Sequence, residues 1–264
     1  MTTSDEVPAG TDPRAATAAY YDLAPDFPRD IPFYLEQVPR SASVLELGCG
    51  TGRVTVPLAR QVSFLHGVDL SAAMVDRCRR QLSQAGIGPS RAVATVGDIT
   101  RLDLQREFDC IIAPYRVFQN LATDAGVAGL FSTVRSHLAR GGQCILNTFM
   151  PLADPATVMA RWQTPGEDLD WELPVDGGVV RCYVRRAGVR TQPLVLLPEL
   201  IYRRYRNSRL EVEAVSSIAM RCWYPDELQH RIRQEGFEVT ARWGGYEGEP
   251  WGSGPELIIA FSGS

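Results

Sequence analysis

From Ser43 onward the chain alternates short apolar runs with segments of helical spacing. Val44-Leu45-Glu46-Leu47 is almost wholly apolar and ends at Gly48, the signature of a buried strand. Arg53 to Arg60 predicts a helix carrying Val54, Val56 and Leu58. Phe64 to Val68 predicts a second strand, closed by Asp69. Ser71 stands as the N-cap of a helix through about Gln84, with Met74, Cys78 and Leu82 four residues apart and Val75 beside them. Ala92–Val96 and Phe108–Ala113 predict a third and a fourth strand. A helix from about Asp124 to Leu138 is stopped by Gly141-Gly142, and Gln143–Phe149 predicts a fifth strand. Continuously apolar strands alternating with helices imply a parallel sheet covered on both faces, a doubly wound α/β fold.

After the fifth strand the rhythm changes. Val179–Arg186, Leu200–Arg206 and Leu210–Arg221 are β-prone with interleaved charges, and Gly177-Gly178 and Asn207-Ser208 supply turns. An antiparallel β insertion is expected over residues 151–222. The core resumes with a helix opened by Tyr224-Pro225-Asp226-Glu227 and ended by Gly236, then strands at Phe237–Trp243 and Glu256–Phe261. Core segments 41–150 and 223–264 thus make a seven-stranded Rossmann-like sheet with an inserted antiparallel β cap. Residues 1–40 precede it as lid helices. Met1 to about Pro13 is small, polar and expected to be poorly ordered. Ala15–Leu23 predicts a helix with Tyr20 and Tyr21, broken by Pro25, Pro28 and Pro32, and Phe33–Val38 predicts another.

Composition narrows the function classes. Of 264 residues, 45% are hydrophobic and 22% charged, enough for a sizeable core. The formal net charge of −4 argues against sequence-independent nucleic-acid binding, which calls for a basic face. No lysine occurs, so all 27 basic residues are arginine, which we ascribe to codon bias. Six scattered cysteines and three histidines form no metal-spaced cluster, and buried free thiols are expected. With no secretory leader and no apolar run long enough to span a bilayer, a cytoplasmic protein without membrane association is expected.

The chemistry centres on Glu46-Leu47-Gly48-Cys49-Gly50-Thr51-Gly52, between the first strand and its helix, where open parallel sheets place ligands. Dinucleotide binders use a similar loop, but their fingerprint needs a glycine where this chain has Arg53. Glu46 would repel a pyrophosphate and attract an ammonium. Asp69, at the end of the second strand, can accept both hydroxyls of a ribose. Asp98, in Gly97-Asp98-Ile99 after the third strand, can accept from an exocyclic adenine amine while Ile99 packs on the ring. Any one of these acids could be a solvated strand end; three in order at successive strand ends point to one ligand.

These motifs, with Gly67-Val68-Asp69-Leu70-Ser71 and Phe108-Asp109-Cys110-Ile111-Ile112, resemble those of class I S-adenosylmethionine-dependent methyltransferases over residues 40–150. The resemblance implies that Glu46, Gly48, Gly50 and Gly52 line the methionine side, Asp69 holds the ribose and Asp98 the adenine. Leu70, Met74 and Ile99 would give apolar walls, and Tyr21, Cys49 and Pro114 would complete the cofactor set, S-adenosylhomocysteine being the product. The segment Ala113-Pro114-Tyr115-Arg116-Val117-Phe118-Gln119-Asn120-Leu121, the Tyr20-Tyr21-Asp22 segment and the insertion together look like small-molecule N-methyltransferases of secondary metabolism, such as those acting on aminosugars or lincosamide antibiotics. That likeness implies a substrate closed in by the N-terminal helix and the insertion, and a homo-oligomer formed through the insertion. The segment lacks the N-P-P-[YF] pattern of enzymes that methylate amino groups in macromolecules.

Candidate substrate or catalytic residues are Tyr20, Tyr21, Arg116 and Phe118, with Gln119 as a further substrate contact. Each has a plainer alternative: Arg116 a loop cap, Phe118 core, Tyr20 and Tyr21 packing of the first helix. His66 reads as a satisfied core residue, and His137 as a cation at a helix C-terminus. No histidine falls where the methyl should emerge, so an amine acceptor is expected. The alternatives are a small-molecule O-methyltransferase, which needs a base, and a non-catalytic adenosyl-ligand-binding subunit.

Overall fold

The computed structural model of the protein describes residue 12, residues 14–24 and residues 30–263. The expected disordered segment, Asp12 apart, lies outside the described residues, as do Pro25 and Pro28.

The core strands are β1 (Ser43–Leu47), β2 (Phe64–Asp69), β3 (Ala92–Val96), β4 (Phe108–Ala113), β5 (Leu138–Phe149), β11 (Phe237–Trp243) and β12 (Glu256–Gly263). They form one sheet in the order β11-β12-β5-β4-β1-β2-β3, parallel except for β12, which runs antiparallel to both neighbours. From β1 the chain winds one way to β2 and β3 and the other way to β4 and β5. The switch point lies between β1 and β4, and there the carboxyl ends of the strands leave a crevice. Helices α3 (Thr55–Ala59), α4 (Ala72–Gln84), α5 (Asp124–His137) and α7 (Pro225–Gln234) cover the sheet. One core gathers Val44, Leu58, Val75 and Ile112; the other gathers Leu45, Phe131, Trp223 and Ile259. The seven-stranded sheet is therefore doubly wound, as the apolar pattern predicts. Ser71 caps α4, its hydroxyl accepting from Met74 N at 3.2 Å.

Several boundaries differ. Helix α1 is only Ala18–Tyr21, and α2 spans Asp30–Gln37 with Pro32 inside its first turn, where a missing N–H does no harm. Strand β5 begins at Leu138, directly after α5, so Gly141-Gly142 lies within the strand rather than ending the helix. His137 is not a helix-end cation. It is buried, its Nε2 accepts from Leu104 N at 2.9 Å, and its Nδ1 donates to Thr133 O at 2.8 Å. All six cysteines are buried and free.

The insertion holds more than the sequence pattern predicts. Helix α6 (Pro155–Gln163), capped by Asp154, and strand β6 (Gly166–Val175) precede β7 (Gly178–Thr191), β8 (Leu194–Arg206), β9 (Arg209–Ser217) and β10 (Met220–Arg221). The expected strand Leu210–Arg221 is two strands, both paired with β8. The turn at Asn207-Ser208 is present, with φ of 47° and 63°. Strand residues point alternately to opposite faces. Cys182, Val184, Leu200 and Tyr202 of β7 and β8 face a cavity, and Arg185 and Arg203 on the other face pair with Glu167, Glu199 and Glu213. No helix among the described residues is long and apolar enough to cross a membrane.

Candidate active site: a cavity between the sheet and its cap

A cavity of about 1460 Å³ lies between the strand ends and the cap. Its floor begins at the loop after β1. Gly48 N and Cys49 N both donate to Val68 O, at 2.7 and 3.0 Å, which turns the loop back over β2. Gly48 has φ +73°, and a Cβ there would collide with Val117. Gly50 has φ +54° and open space where a side chain would go. Asp69 binds this loop to the next: Oδ2 accepts from Gly50 N and Oδ1 from Ser71 N, each at 2.9 Å. Burial raises its pKa above the usual carboxylate range although both bonds oppose the rise.

The cavity continues past Asp69 to Asp98, where Oδ1 accepts from Thr100 N and Oγ1 at 2.9 and 2.7 Å and Oδ2 pairs with Arg101 at 3.0 Å. Leu70, Met74 and Ile99 wall the same stretch, and Leu70 keeps 53% of its surface exposed. An apolar slot flanked by two carboxylates suits an adenosine, which Asp69 and Asp98 would hold by its polar groups and Leu70, Met74 and Ile99 by its apolar faces. The residues present fit that group.

At the end of β4, Tyr115 and Arg116 adopt left-handed φ of 50° and 67°. Tyr115 meets Tyr21 edge to face at 6.4 Å, and the Arg53 guanidinium lies 5.2 Å from its ring centroid. Arg53, standing where a dinucleotide loop has glycine, also pairs with the buried Asp30, Nη2 to Oδ2 at 2.7 Å. Burial raises the phenol pKa of Tyr21 and of Tyr115, so both remain protonated donors.

The structure brings Tyr21, Gly48, Gly50, Asp69, Leu70, Met74, Asp98, Ile99 and Arg116 to the cavity wall. The other predicted residues lie elsewhere. Glu46 is buried and accepts from Thr55 Oγ1 at 2.6 Å; burial pushes its pKa up to about 8, so it presents no carboxylate to an ammonium. The Cys49 thiol is buried and makes a hydrogen bond with the Cys78 thiol, both cysteines remaining free. A Cβ on Gly52 would come within 2.9 Å of Cys78 Sγ, so this glycine serves the packing of α4. Pro114 does not line the cavity; its carbonyl accepts from Val117 N at 3.4 Å. Tyr20 stacks on Tyr202 of the cap, centroids 5.5 Å apart and planes 13° apart. Phe118 is core, stacked on Trp223 at 5.2 Å. Gln119 is buried, its Nε2 donating to Arg221 O at 3.2 Å and its Oε1 accepting from Phe149 N at 2.8 Å.

The sequence reading missed Tyr115, Phe149, Asp170, Trp171 and Tyr202 as wall residues. Tyr115 was legible beside Arg116 in the loop after β4. The cap residues carried no signal, because only the pairing of β6 to β8 aims them inward.

Residues 44–142 match the family described as methyltransferase domain. Over 102 residues the chain is 29% identical to the probable ribosomal RNA small subunit methyltransferase A of Pyrobaculum aerophilum, an alignment spanning 38% of this chain and 39% of that relative's length. The fold is similar to that of the CcbJ methyltransferase of Streptomyces caelestis, at TM-score 0.76 and 21% identity, covering 96% of this chain and 98% of that one. It is also similar to the sugar N-methyltransferase KedS8 of Streptoalloteichus sp, at TM-score 0.68 and 17% identity, covering 98% and 97%.

Proposed function

We propose that this chain, which carries a methyltransferase domain over residues 44–142, is an S-adenosylmethionine-dependent enzyme that methylates an amine of a small molecule in secondary metabolism. One observation carries the choice of acceptor: Tyr21, Tyr115, Phe149, Trp171 and Tyr202 wall the cavity, and none of the three histidines lines it. S-adenosylmethionine, when bound, supplies a methyl already activated on a sulfonium. The protein's task is then to align the acceptor and exclude water. Asp69 and Asp98 hold the adenosine at one end, which leaves the β4 end, with Tyr115 and Arg116, for the acceptor. Aromatic faces there favour the cationic ammonium that methylation of an amine produces.

The capped cavity, shared between cofactor and acceptor, suits a small molecule rather than a ribosomal RNA, and the net charge of −4 agrees. We further propose a cytoplasmic enzyme that self-associates through the insertion. Among the described residues β9 pairs with β8 alone, leaving its other edge unpaired and Leu210, Val212 and Val215 exposed, and unpaired edges need covering. A monodisperse monomer by light scattering would remove that part.

O-methylation is the second reading, favoured by the cap carboxylates Asp168 and Asp170 on the cavity wall, since an alcohol needs a base. Isolating the methylated product and locating the new methyl by mass spectrometry and NMR decides between them. A methyl on nitrogen supports the proposal; one on oxygen or carbon overturns it.

A further inference from the structure

The cap leaves the core after Phe149, the last residue of β5, and returns after Arg221, the last of β10. Both roots carry a backbone group that the strand ladders leave over. Strand β5 outruns β4, their last pair being Ala113 with Leu146, three residues before Phe149. Successive amides of a strand point to opposite edges. Met150 N donates to Pro255 O beside β12 at 2.9 Å, so Phe149 N points to the edge that β4 has vacated. At the other root Cys222 N donates to Leu194 O of β8 at 2.8 Å, so Arg221 O points away from β8.

Gln119 satisfies both groups. Its Oε1 accepts from Phe149 N at 2.8 Å and its Nε2 donates to Arg221 O at 3.2 Å. A side-chain amide accepts at one end and donates at the other, as this pair of partners requires. The Gln119 backbone N–H donates to Arg116 O at 3.0 Å, which ties the turn Val117–Asn120 to the left-handed loop of Tyr115 and Arg116. Arg221 is itself fixed, bonded to Asp124 at 2.6 Å with its guanidinium 4.1 Å from the Trp223 ring centroid. The Gln119 side chain is wholly buried and does not line the cavity, but its neighbours do: Val117 and Asn120 on its own turn, Met150 next to Phe149 and Met220 next to Arg221.

We propose that Gln119 is the positioning residue of the acceptor end, one buried amide that holds both roots of the cap against the Tyr115-Arg116 loop and so sets the width of the cavity between core and cap. The inference rests on the reading of the cap as the acceptor wall, and it is the same whether nitrogen or oxygen takes the methyl. Phe149 and Arg221 are the two points where the chain passes between core and cap, so a group bonded to both fixes the cap at its hinge. Methyl transfer needs the acceptor in line with methyl and sulfur, and a displacement of about 1 Å is enough to cost about a hundredfold in rate. Asp69 and Asp98 lie apart, at the end of β2 and after β3, so cofactor binding does not depend on the amide.

The test measures the distance between nitroxide labels on Ser83→Cys of α4 and Asp176→Cys of the β6–β7 turn. It uses the full chain saturated with S-adenosylhomocysteine and diluted with unlabelled protein. Both sites are exposed, and the six native cysteines are buried. With Gln119 in place, one narrow distribution is expected at pH 5.5 and at pH 8.5. Gln119→Met, of similar volume and without either bond, should spread the distance over a range about twice as wide at both pH values. Gln119→Glu separates bonding from packing. Protonated, its carboxyl accepts from Phe149 N and donates to Arg221 O; ionised, it has nothing to donate. Burial raises the pKa of such a carboxyl, and the guanidiniums on the elements it joins are already paired, Arg116 with Glu256 and Arg221 with Asp124 and Glu227. Its distribution should be narrow at pH 5.5 and as broad as that of Gln119→Met at pH 8.5. Calorimetric titration should find S-adenosylhomocysteine affinity within twofold of the wild type in every variant. A narrow distribution in Gln119→Met, a Gln119→Glu distribution that ignores pH, or a tenfold loss of S-adenosylhomocysteine affinity in Gln119→Met overturns the assignment. Should Gln119→Met fail to fold, the pH response of Gln119→Glu decides alone. A methyl found on oxygen in the product removes the amine reading and leaves these distributions as they are.

Discussion

Arg116 Nη2 and Glu256 Oε1 meet at 2.8 Å at the end of the sheet, although 140 residues separate them in the chain. Glu256 Oε2 also accepts from Asn147 Nδ2 at 3.0 Å, and Asn147 Oδ1 accepts from Arg116 N at 2.9 Å. The ends of β4, β5 and β12 are thus held together by one polar triangle, which fixes an arginine of left-handed φ at the cavity wall.

Removing the counter-charge should free that arginine. Glu256→Gln is expected to lower kcat/KM for the acceptor by roughly tenfold to a hundredfold, the worth of a hydrogen bond to a charged group. S-adenosylmethionine affinity by calorimetry should stay within twofold, because Asp69 and Asp98 lie apart from the triangle. Steady-state kinetics on the acceptor, paired with that titration, checks both halves.

Asp69 has two tasks at once, bracing Gly50 and Ser71 and lining the cavity. Asp69→Ala should weaken S-adenosylmethionine binding by roughly 1–3 kcal/mol, with the protein still folded by circular dichroism. Unchanged affinity in a folded variant would take Asp69 out of the site.

Glu46 makes stability fall as pH rises. Its folded pKa of about 8 exceeds its ordinary 4.5, so between those values the folded state holds a proton that the unfolded state releases. Unfolding free energy should therefore decline across that window, with a contribution approaching about 1.4 kcal/mol per pH unit, and level off above pH 8. Glu46→Gln should remove that slope and gain on the wild type as pH climbs. Urea unfolding of both proteins at pH 5.5, 7 and 8.5 measures it.

Phe118 separates packing from substrate contact. Stacked on Trp223 and edge-on to Phe131 at 5.8 Å, it is fully buried. Phe118→Ala should lose about 3–5 kcal/mol of stability by denaturant unfolding. The folded fraction should keep the wild-type acceptor KM. A large KM change without loss of stability would restore Phe118 to the substrate wall.

The sequence by itself determined the sheet and the stretch of cavity wall that runs through Gly50, Asp69 and Asp98. Both depend on local signals: continuous apolar strands, a capping serine, glycines with left-handed φ after β1, and acids at strand ends. Asp69 ends β2, and Gly50 and Asp98 lie within three residues after β1 and β3, so the strand ends bring all three to the cavity. Tertiary structure decided the rest. Glu46 sits one residue inside β1, and the period of two turned its carboxyl into the core toward Thr55. Phe118 and Gln119 sit on a single turn at Val117–Asn120, where a small rotation exchanges cavity for core, and Trp223 and Phe149 settled it. Tyr20 and Tyr21 parted in the same way, one stacking on the cap and the other meeting Tyr115. Strand β6 was illegible because its exposed run Glu167-Asp168-Leu169-Asp170 has little apolar alternation. It is a strand because β7 supplies its hydrogen bonds, and the slip in that pairing aims Asp170 at the cavity, a displacement set by two strands together that neither encodes alone.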